Sequence, residues 1–239
     1  MENYQDKKAI VGSMFDKIAF RYDFLNHFLS FGIDRSWRRK AIRIISETHK
    51  NPKMLDVATG TGDLAIGAMK LDPEHITGID ISAKMLEIGR EKIRRKNLTG
   101  IIELTEGDSE KIPFEDDAFD VSMVAFGVRN FADPLKGLSE MSRVVRPGGL
   151  VLVLEFSRPQ GFPFRQLFFF YFRFILPVIG RIVSGNREAY SYLHDSVMQF
   201  PDNEQFIDLM NKAGLDNVRQ TRLTGGIASI YTGLKPPVQ

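Results

Sequence analysis

Five short apolar runs, each closed by a polar turn, set the frame of this chain. Met54, Leu55, Val57 and Ala58 read as a strand covered on both faces, and 76–81, 101–104, 121–126 and 150–154 repeat the pattern. The segments between several of these runs change period. Leu64, Ala65, Ala68 and Leu71 fall on one face of a helix over 63–71, and Met85, Leu86, Ile88, Gly89 and Ile93 do the same over 82–96, with Ser82 as its N-cap. A third helix over 134–145 buries Leu135, Leu138, Met141 and Val144, and a fourth over 202–213 carries Phe206, Leu209 and Met210 up to the stop at Gly214. Two last runs, 218–223 and 227–234, are joined by Gly225-Gly226 and predict an antiparallel addition to an otherwise parallel sheet. Strands alternating with helices make this an α/β chain.

Two stretches depart from that rhythm. Residues 9–47 precede the first strand and are helical in pattern, with Met14, Phe15, Ile18, Ala19 and Tyr22, then Leu25, Phe28 and Leu29. Such a segment can pack over the mouth of the fold. Its Tyr22-to-Ser30 portion mixes aromatic and polar groups finely, which also suits an amphipathic helix with Asp23 and Asn26 in solvent. Trp37 sits among Arg35, Arg38, Arg39 and Lys40, either a solvated face or a face for anionic headgroups. The second departure is 158–187, which holds Leu167-Phe168-Phe169-Phe170-Tyr171-Phe172 and five arginines but no acidic residue. Arg173 and Pro177 interrupt it, so it is too broken for a membrane span of ~20 apolar residues. A membrane interface or an apolar ligand tail fits it, as does a subunit interface or a core helix.

Composition narrows the chemistry. At 239 residues and 43% hydrophobic content the chain builds one substantial core. The net charge of +2 gives no global field for nucleic acid. Cysteine is absent, which removes disulfides, thiol nucleophiles and thiolate metal sites. The four histidines are scattered without ligand spacing, so no metal is expected. The first residues lack the apolar core of a signal peptide, and a cytoplasmic protein is the working expectation.

Candidate site residues gather at the ends of the strands. Gly60-Thr61-Gly62 follows the first, where a backbone free of Cβ approaches a ligand and the N–H groups opening the next helix can face it. The third glycine of the dinucleotide motif is missing, and so is the Lys-Ser/Thr pair of a phosphate loop. Asp80 ends the second strand, eighteen residues beyond Gly62, near the spacing for ribose hydroxyls; a helix cap is the plainer reading. Asp108-Ser109 follows the third, where the carboxylate can accept from an adenine amino group or stand as a surface turn. After the fourth come Gly127, Arg129 and Asn130. Arg129 either meets an anionic oxygen or is a structural ion-pair partner.

In order, the glycine loop, the acid after strand two and the Asp after strand three resemble the cofactor set of class I S-adenosylmethionine-dependent methyltransferases. That resemblance implies a Rossmann-like, seven-stranded, mostly parallel sheet with helices on both faces and an antiparallel C-terminal edge strand. It assigns Asp56, Gly60, Thr61, Gly62, Asp80, Asp108, Ser109 and Ala125 to S-adenosyl-L-methionine. Tyr22-Asp23-Phe24-Leu25-Asn26 through Leu29-Ser30 to Trp37, and Arg143-Val144-Val145-Arg146-Pro147-Gly148-Gly149 to Leu154-Glu155-Phe156-Ser157, are similar to the two signatures of the ubiquinone/menaquinone biosynthesis C-methyltransferases. Asp34 stands where the first signature usually has His or Gln, and Ala125 where some members carry a small hydroxyl residue.

The resemblance implies C-methylation of a polyprenylated quinol, demethylmenaquinol to menaquinol. The alternatives are the ubiquinone-pathway 2-polyprenyl-6-methoxy-1,4-benzoquinol or another small lipophilic acceptor. Within one methyltransferase domain over 1–239, residues 1–50 form a helical cap, and 158–193 is an apolar, arginine-bearing insertion over the substrate site. Arg129 with Asn130 would stabilise a phenolate, and Tyr22 and Asp23 would position the quinol or relay its proton. Peripheral contact with the inner face of the membrane, and a homodimer or a quinone-biosynthesis assembly, are expected; a nucleic-acid partner is not.

Overall fold

The computed structural model describes residues 4–30, 32–175 and 187–237, and there the apolar runs and the C-terminal pair join one seven-stranded sheet. Its strands are β1 (Lys53–Val57), β2 (His75–Asp80), β3 (Ile102–Glu106), β4 (Phe119–Ala125), β5 (Val145–Phe156), β6 (Asp216–Leu223) and β7 (Ala228–Leu234), in the order β3-β2-β1-β4-β5-β7-β6. β1 to β5 run parallel to one another, and β7 lies antiparallel between β5 and β6. The helices are α1 (Tyr4–Leu29), α2 (Ile33–Ser46), α3 (Asp63–Ala68), α4 (Ala83–Arg95), α5 (Pro134–Val144), α6 (Phe164–Phe170), α7 (Arg187–Gln199) and α8 (Glu204–Lys212).

The two-residue period of each strand divides its side chains between two cores. Met54, Val121, Met123, Leu150, Leu152 and Leu154 pack with residues of α2, α3 and α4. Leu55, Val57, Val124, Val151 and Val153 pack with residues of α5 and α8 on the other face. Helices therefore cover both sides of the sheet, the condition under which parallel strands lose their polar alternation. Strand order reverses between β1 and β4, so the helices connecting them diverge and leave a crevice at the strands' carboxyl ends.

Two boundaries differ from the pattern. The N-terminal helical stretch is two helices, broken where Gly32 takes a left-handed φ of 73° ahead of α2. β5 starts at Val145, before its apolar run, because Val145 pairs with Phe119 and the register then shifts across Arg146-Pro147-Gly148-Gly149. A bulge absorbs the proline and the left-handed Gly148.

Trp37 is a core residue. It is 5% exposed, lies 6.1 Å from both Phe126 and Phe156, and donates from Nε1 to Thr224 Oγ1 at 2.9 Å. Of the cations around it, Arg38 pairs with buried Asp34, which also accepts from Ser30 Oγ at 2.6 Å, while Arg35, Arg39 and Lys40 are exposed. In the 158–187 stretch Phe168 is buried, yet Phe162, Leu167, Phe169, Phe170 and Phe174 stay exposed, so α6 is not an internal core helix. Among the described residues, no helix is long and apolar enough to cross a membrane.

Candidate functional site

Ala58 leaves β1 with a left-handed φ of 51°, a conformation that costs energy in a residue with a Cβ and turns the chain sharply into Thr59-Gly60. Asp56, one turn behind, is 1% exposed and anchors this loop. Its Oδ2 accepts from Thr59 Oγ1 at 2.6 Å and from the Ala65 N–H at 3.2 Å, which ties the loop to the first turn of α3. Burial pushes the Asp56 carboxyl up to about 7, against those hydrogen bonds.

Asp80 gathers the next loop. Its Oδ2 accepts from the Gly60 N–H at 2.8 Å and its Oδ1 from the Ser82 N–H at 2.9 Å. Burial raises its pKa as well. The helix cap is Ser82 instead, whose Oγ accepts from the Met85 N–H at 3.2 Å and donates to Asp16 of α1 at 2.6 Å. Beyond β3, Asp108 Oδ1 accepts from the Glu110 N–H at 2.9 Å, and Lys8 of α1 bridges Asp108 at 2.6 Å and Glu110 at 3.0 Å. Glu110 is buried and also takes the Ala132 and Asp133 N–H groups at 2.8 and 3.0 Å. One side chain thus joins the loops after β3 and β4 to the N-terminal helix.

These loops border an open cleft. Gly60, Asp80, Asp108, Ser109, Ala125 and Asn130 line it, with Phe126 and Gly127 at the end of β4 and Lys8, Val11 and Phe15 of α1 overhead. Phe126 repeats the left-handed turn of Ala58, with φ 59°, so the two adjacent central strands end alike.

Other expected residues stand elsewhere. Thr61 and Gly62 are not among the cleft-lining residues: Thr61 is buried and accepts from Lys92 Nζ at 2.9 Å, and Gly62, φ 79°, caps α3. Nor does the start of α3 face the cleft, because its Asp63 pairs with Lys92 at 2.7 Å. Asp56 lies beneath the loop and not in the cleft wall. Tyr22 and Asp23 are on α1, with side chains outside the described residues.

Arg129 takes the ion-pair role that the sequence left open. Its Nη1 donates to Glu155 Oε1 at 2.7 Å and to the Phe126 carbonyl at 2.5 Å, its N–H reaches Glu155 Oε2 at 3.3 Å, and its guanidinium sits 5.4 Å from the Phe156 ring centroid. The pair is buried, at 7% and 0% side-chain exposure, and Arg129 Nε is left without a hydrogen-bond partner. Beside it, Asn130 faces the cleft and accepts at Oδ1 from Tyr192 Oη of α7 at 3.0 Å.

Lys8, Glu110, Glu155 and Tyr192 escaped the sequence reading. Glu155 carried a signal, since it ends a parallel strand as Asp80 does; Lys8 and Tyr192 meet their partners across 100 and 62 residues of chain, which no local pattern records. The arrangement fits a nucleoside with an attached charged chain. Asp80 and Asp108 are acceptors about one strand apart, Gly60 allows close backbone approach, and Val11, Phe15, Ala125 and Phe126 supply an apolar surround.

Comparison with known proteins agrees with this geometry. The model of the ubiE/COQ5 methyltransferase family matches residues 1–235. The chain is 48% identical over 232 residues to the ubiquinone/menaquinone biosynthesis C-methyltransferase UbiE of Geotalea daltonii, covering 96% of this chain and 98% of the relative. It is 44% identical over 230 residues to the demethylmenaquinone methyltransferase of Bacteroides fragilis, covering 96% and 94%. Among solved structures it resembles a putative S-adenosyl-L-methionine-dependent methyltransferase of Methanococcus maripaludis, with TM-score 0.67, 20% identity and 94% of each chain covered. The [4+2]-cyclase SpnF gives TM-score 0.68 at 17% identity, covering 95% of this chain and 96% of the other. At such identities the structures speak for the fold alone.

Proposed function

The chain belongs to the ubiE/COQ5 methyltransferase family, and from that membership we propose that it methylates a ring carbon of a polyprenylated quinol, converting demethylmenaquinol to menaquinol. It is an S-adenosyl-L-methionine-dependent methyltransferase with a Rossmann-like fold. The observation that carries the substrate assignment is the 44–48% identity, over 96% of the chain, to enzymes named for quinone-ring methylation. Likeness of that extent covers the cap and the insertion as well as the sheet.

The cofactor supplies a methyl group on a sulfonium; the protein supplies the alignment. Gly60, Asp80, Asp108, Ser109 and Ala125 would hold it in the cleft, while Asp56, Thr61 and Gly62 keep the loop in shape from behind. Asp80 spends one lone pair of each oxygen on the Gly60 and Ser82 N–H groups, and the rest can receive ribose hydroxyls. A quinol that gives up a phenolic proton carries charge on its ortho carbon; a bond from that carbon to the sulfonium methyl would break the sulfur–methyl bond and release S-adenosylhomocysteine, and loss of the ring proton would restore the aromatic quinol. Asn130 would meet the phenolate oxygen directly. Arg129, buried behind Asn130 and paired with Glu155, would hold in place the turn that presents Asn130 and would not touch the phenolate itself. Tyr22 and Asp23 would position the quinol and accept or relay its proton.

The prenyl tail calls for an apolar approach. The insertion over 158–193, with exposed Phe169, Phe170 and Phe174 beside exposed Arg165 and Arg173, is suited to the cytoplasmic face of an anionic membrane, from which a lipid substrate can be drawn. A homodimer or an assembly of quinone-biosynthesis enzymes would use the same face.

The test is mass spectrometry of quinones from cells lacking this protein, with and without its return. Demethylmenaquinone that accumulates and is converted on complementation supports the naphthoquinol reaction. An accumulated demethylated methoxybenzoquinone would redirect it to the ubiquinone branch, and no change in either pool would overturn the quinone assignment.

A further inference from the structure

Tyr192 stands on α7, the helix that returns from the insertion, and reaches the helical turn Val128–Asn130 after β4. The bond it makes there is directional. A phenolic oxygen can also accept, but here Tyr192 Oη donates to Asn130 Oδ1 at 3.0 Å, and the Phe126 carbonyl on the other side of the amide only accepts, so a turned-over amide would set two carbonyl oxygens against each other. The Nδ2 end is left with the Phe126 carbonyl at 3.5 Å, at the outer limit of a hydrogen bond, and that carbonyl already receives Arg129 Nη1 at 2.5 Å. Asn130 itself lines the cleft. Its two N–H donors are therefore held without a strong partner beside an open site.

We infer that Tyr192 is a positioning residue: it pins the Asn130 carbonyl so that the amide offers donors, not an acceptor, to the oxygen of an aromatic acceptor as that oxygen becomes anionic. Without the tyrosine hydroxyl the amide can turn over, and its oxygen would then repel the same charge. This specifies the acceptor class as one that carries an ionisable ring hydroxyl next to the methylated carbon. The same bond makes the insertion part of the chemistry, because the residue that sets the amide belongs to the returning helix and not to the sheet. The inference rests on the quinol-methyltransferase reading for its substrate, though not for its geometry.

Two measurements on the full-length protein keep these apart. In steady-state assays with detergent-dispersed demethylmenaquinol, Tyr192→Phe keeps the ring and removes the hydroxyl. It should lower kcat about fivefold to tenfold, the range of one neutral hydrogen bond, with KM for S-adenosyl-L-methionine and the melting temperature unchanged. In an Asn130→Ala background the same change should have no further effect. An equal loss in both backgrounds, or an unchanged kcat, would overturn the proposal. Independently of any turnover, the side-chain amide pair of Asn130 in a nitrogen-15 NMR spectrum, identified by its loss in Asn130→Asp, should shift in Tyr192→Phe. An unmoved pair would overturn the positioning role even in an active enzyme. A wild-type protein that turned over no quinol would sink the substrate reading, and the NMR result would still decide the orientation.

Discussion

A side chain at Gly127 would have nowhere to go, because its Cβ would stand 2.7 Å from the Ala58 Cβ and 2.9 Å from Val124 Cγ2. Gly127→Ala should cost roughly 1–3 kcal/mol of stability by overpacking and should weaken cofactor binding by spreading the ends of β1 and β4. Thermal unfolding and titration calorimetry with S-adenosylhomocysteine would check both. Asp56 sets a pH dependence. Burial raises its pKa from 3.8 to about 7, so the folded protein holds a proton that the unfolded chain has released. Stability from this group is full below about pH 4 and is lost as pH rises through about 7, a slope worth at most a few kcal/mol. Asp56→Asn keeps an oxygen for Thr59 and Ala65 and should flatten that slope in urea titrations between about pH 4 and 7; a slope equal to wild type would place the ionisation elsewhere. Arg129→Ala is a poor probe of catalysis, since it strands Glu155 as a buried, unpaired carboxylate. Asp80 and Asp108 were legible as acids at strand ends, but the pairing of Arg129 with Glu155, 26 residues away, was not.

Elements were legible where burial on both faces wrote a continuous apolar run. β5 was the exception: Phe119 draws Val145 into the ladder before the run begins, and sequence sees only Pro147 and two glycines there. α2 shows the opposite case: its helix was legible, but four cations around Trp37 concealed that Trp37, Ala41, Ile42 and Ile45 are core. The insertion's charge and greasiness were plain, and what the structure adds is which aromatics are spent inside. Only Phe168 of α6 is buried, so Phe169 and Phe170 are free to enter another medium. Phe170→Ser with Phe174→Ser should reduce binding to vesicles with a third anionic lipid by roughly a hundredfold to ten-thousandfold, from about 1.5–3 kcal/mol per aromatic side chain. Sedimentation with those vesicles would show it, and binding undiminished by the pair would move the contact off this face.

For the whole molecule, the order β3-β2-β1-β4-β5-β7-β6 brings loops from four parallel strands to one edge, and those loops are held to each other through side chains. A ligand seated among them should stabilise the entire fold. At about a hundred times its dissociation constant, S-adenosylhomocysteine should add ~2.7 kcal/mol and raise the melting temperature by roughly 5–10 °C for a chain of this size. A smaller ligand such as adenine should do less, and no shift with the homologue would mean that the cleft does not receive it. Alternation of strands and helices foretold the edge itself. A helical cover from the start of the chain was expected too; what stayed hidden was which side chains fasten it, since Lys8 meets Asp108 across 100 residues and Asp16 meets Ser82 across 66. The cleft therefore has a floor woven from the sheet and a roof borrowed from the beginning of the chain, joined by a few side chains. Such parts can evolve at different speeds: descendants of one gene can retailor roof and insertion for a new acceptor while inheriting the floor unaltered.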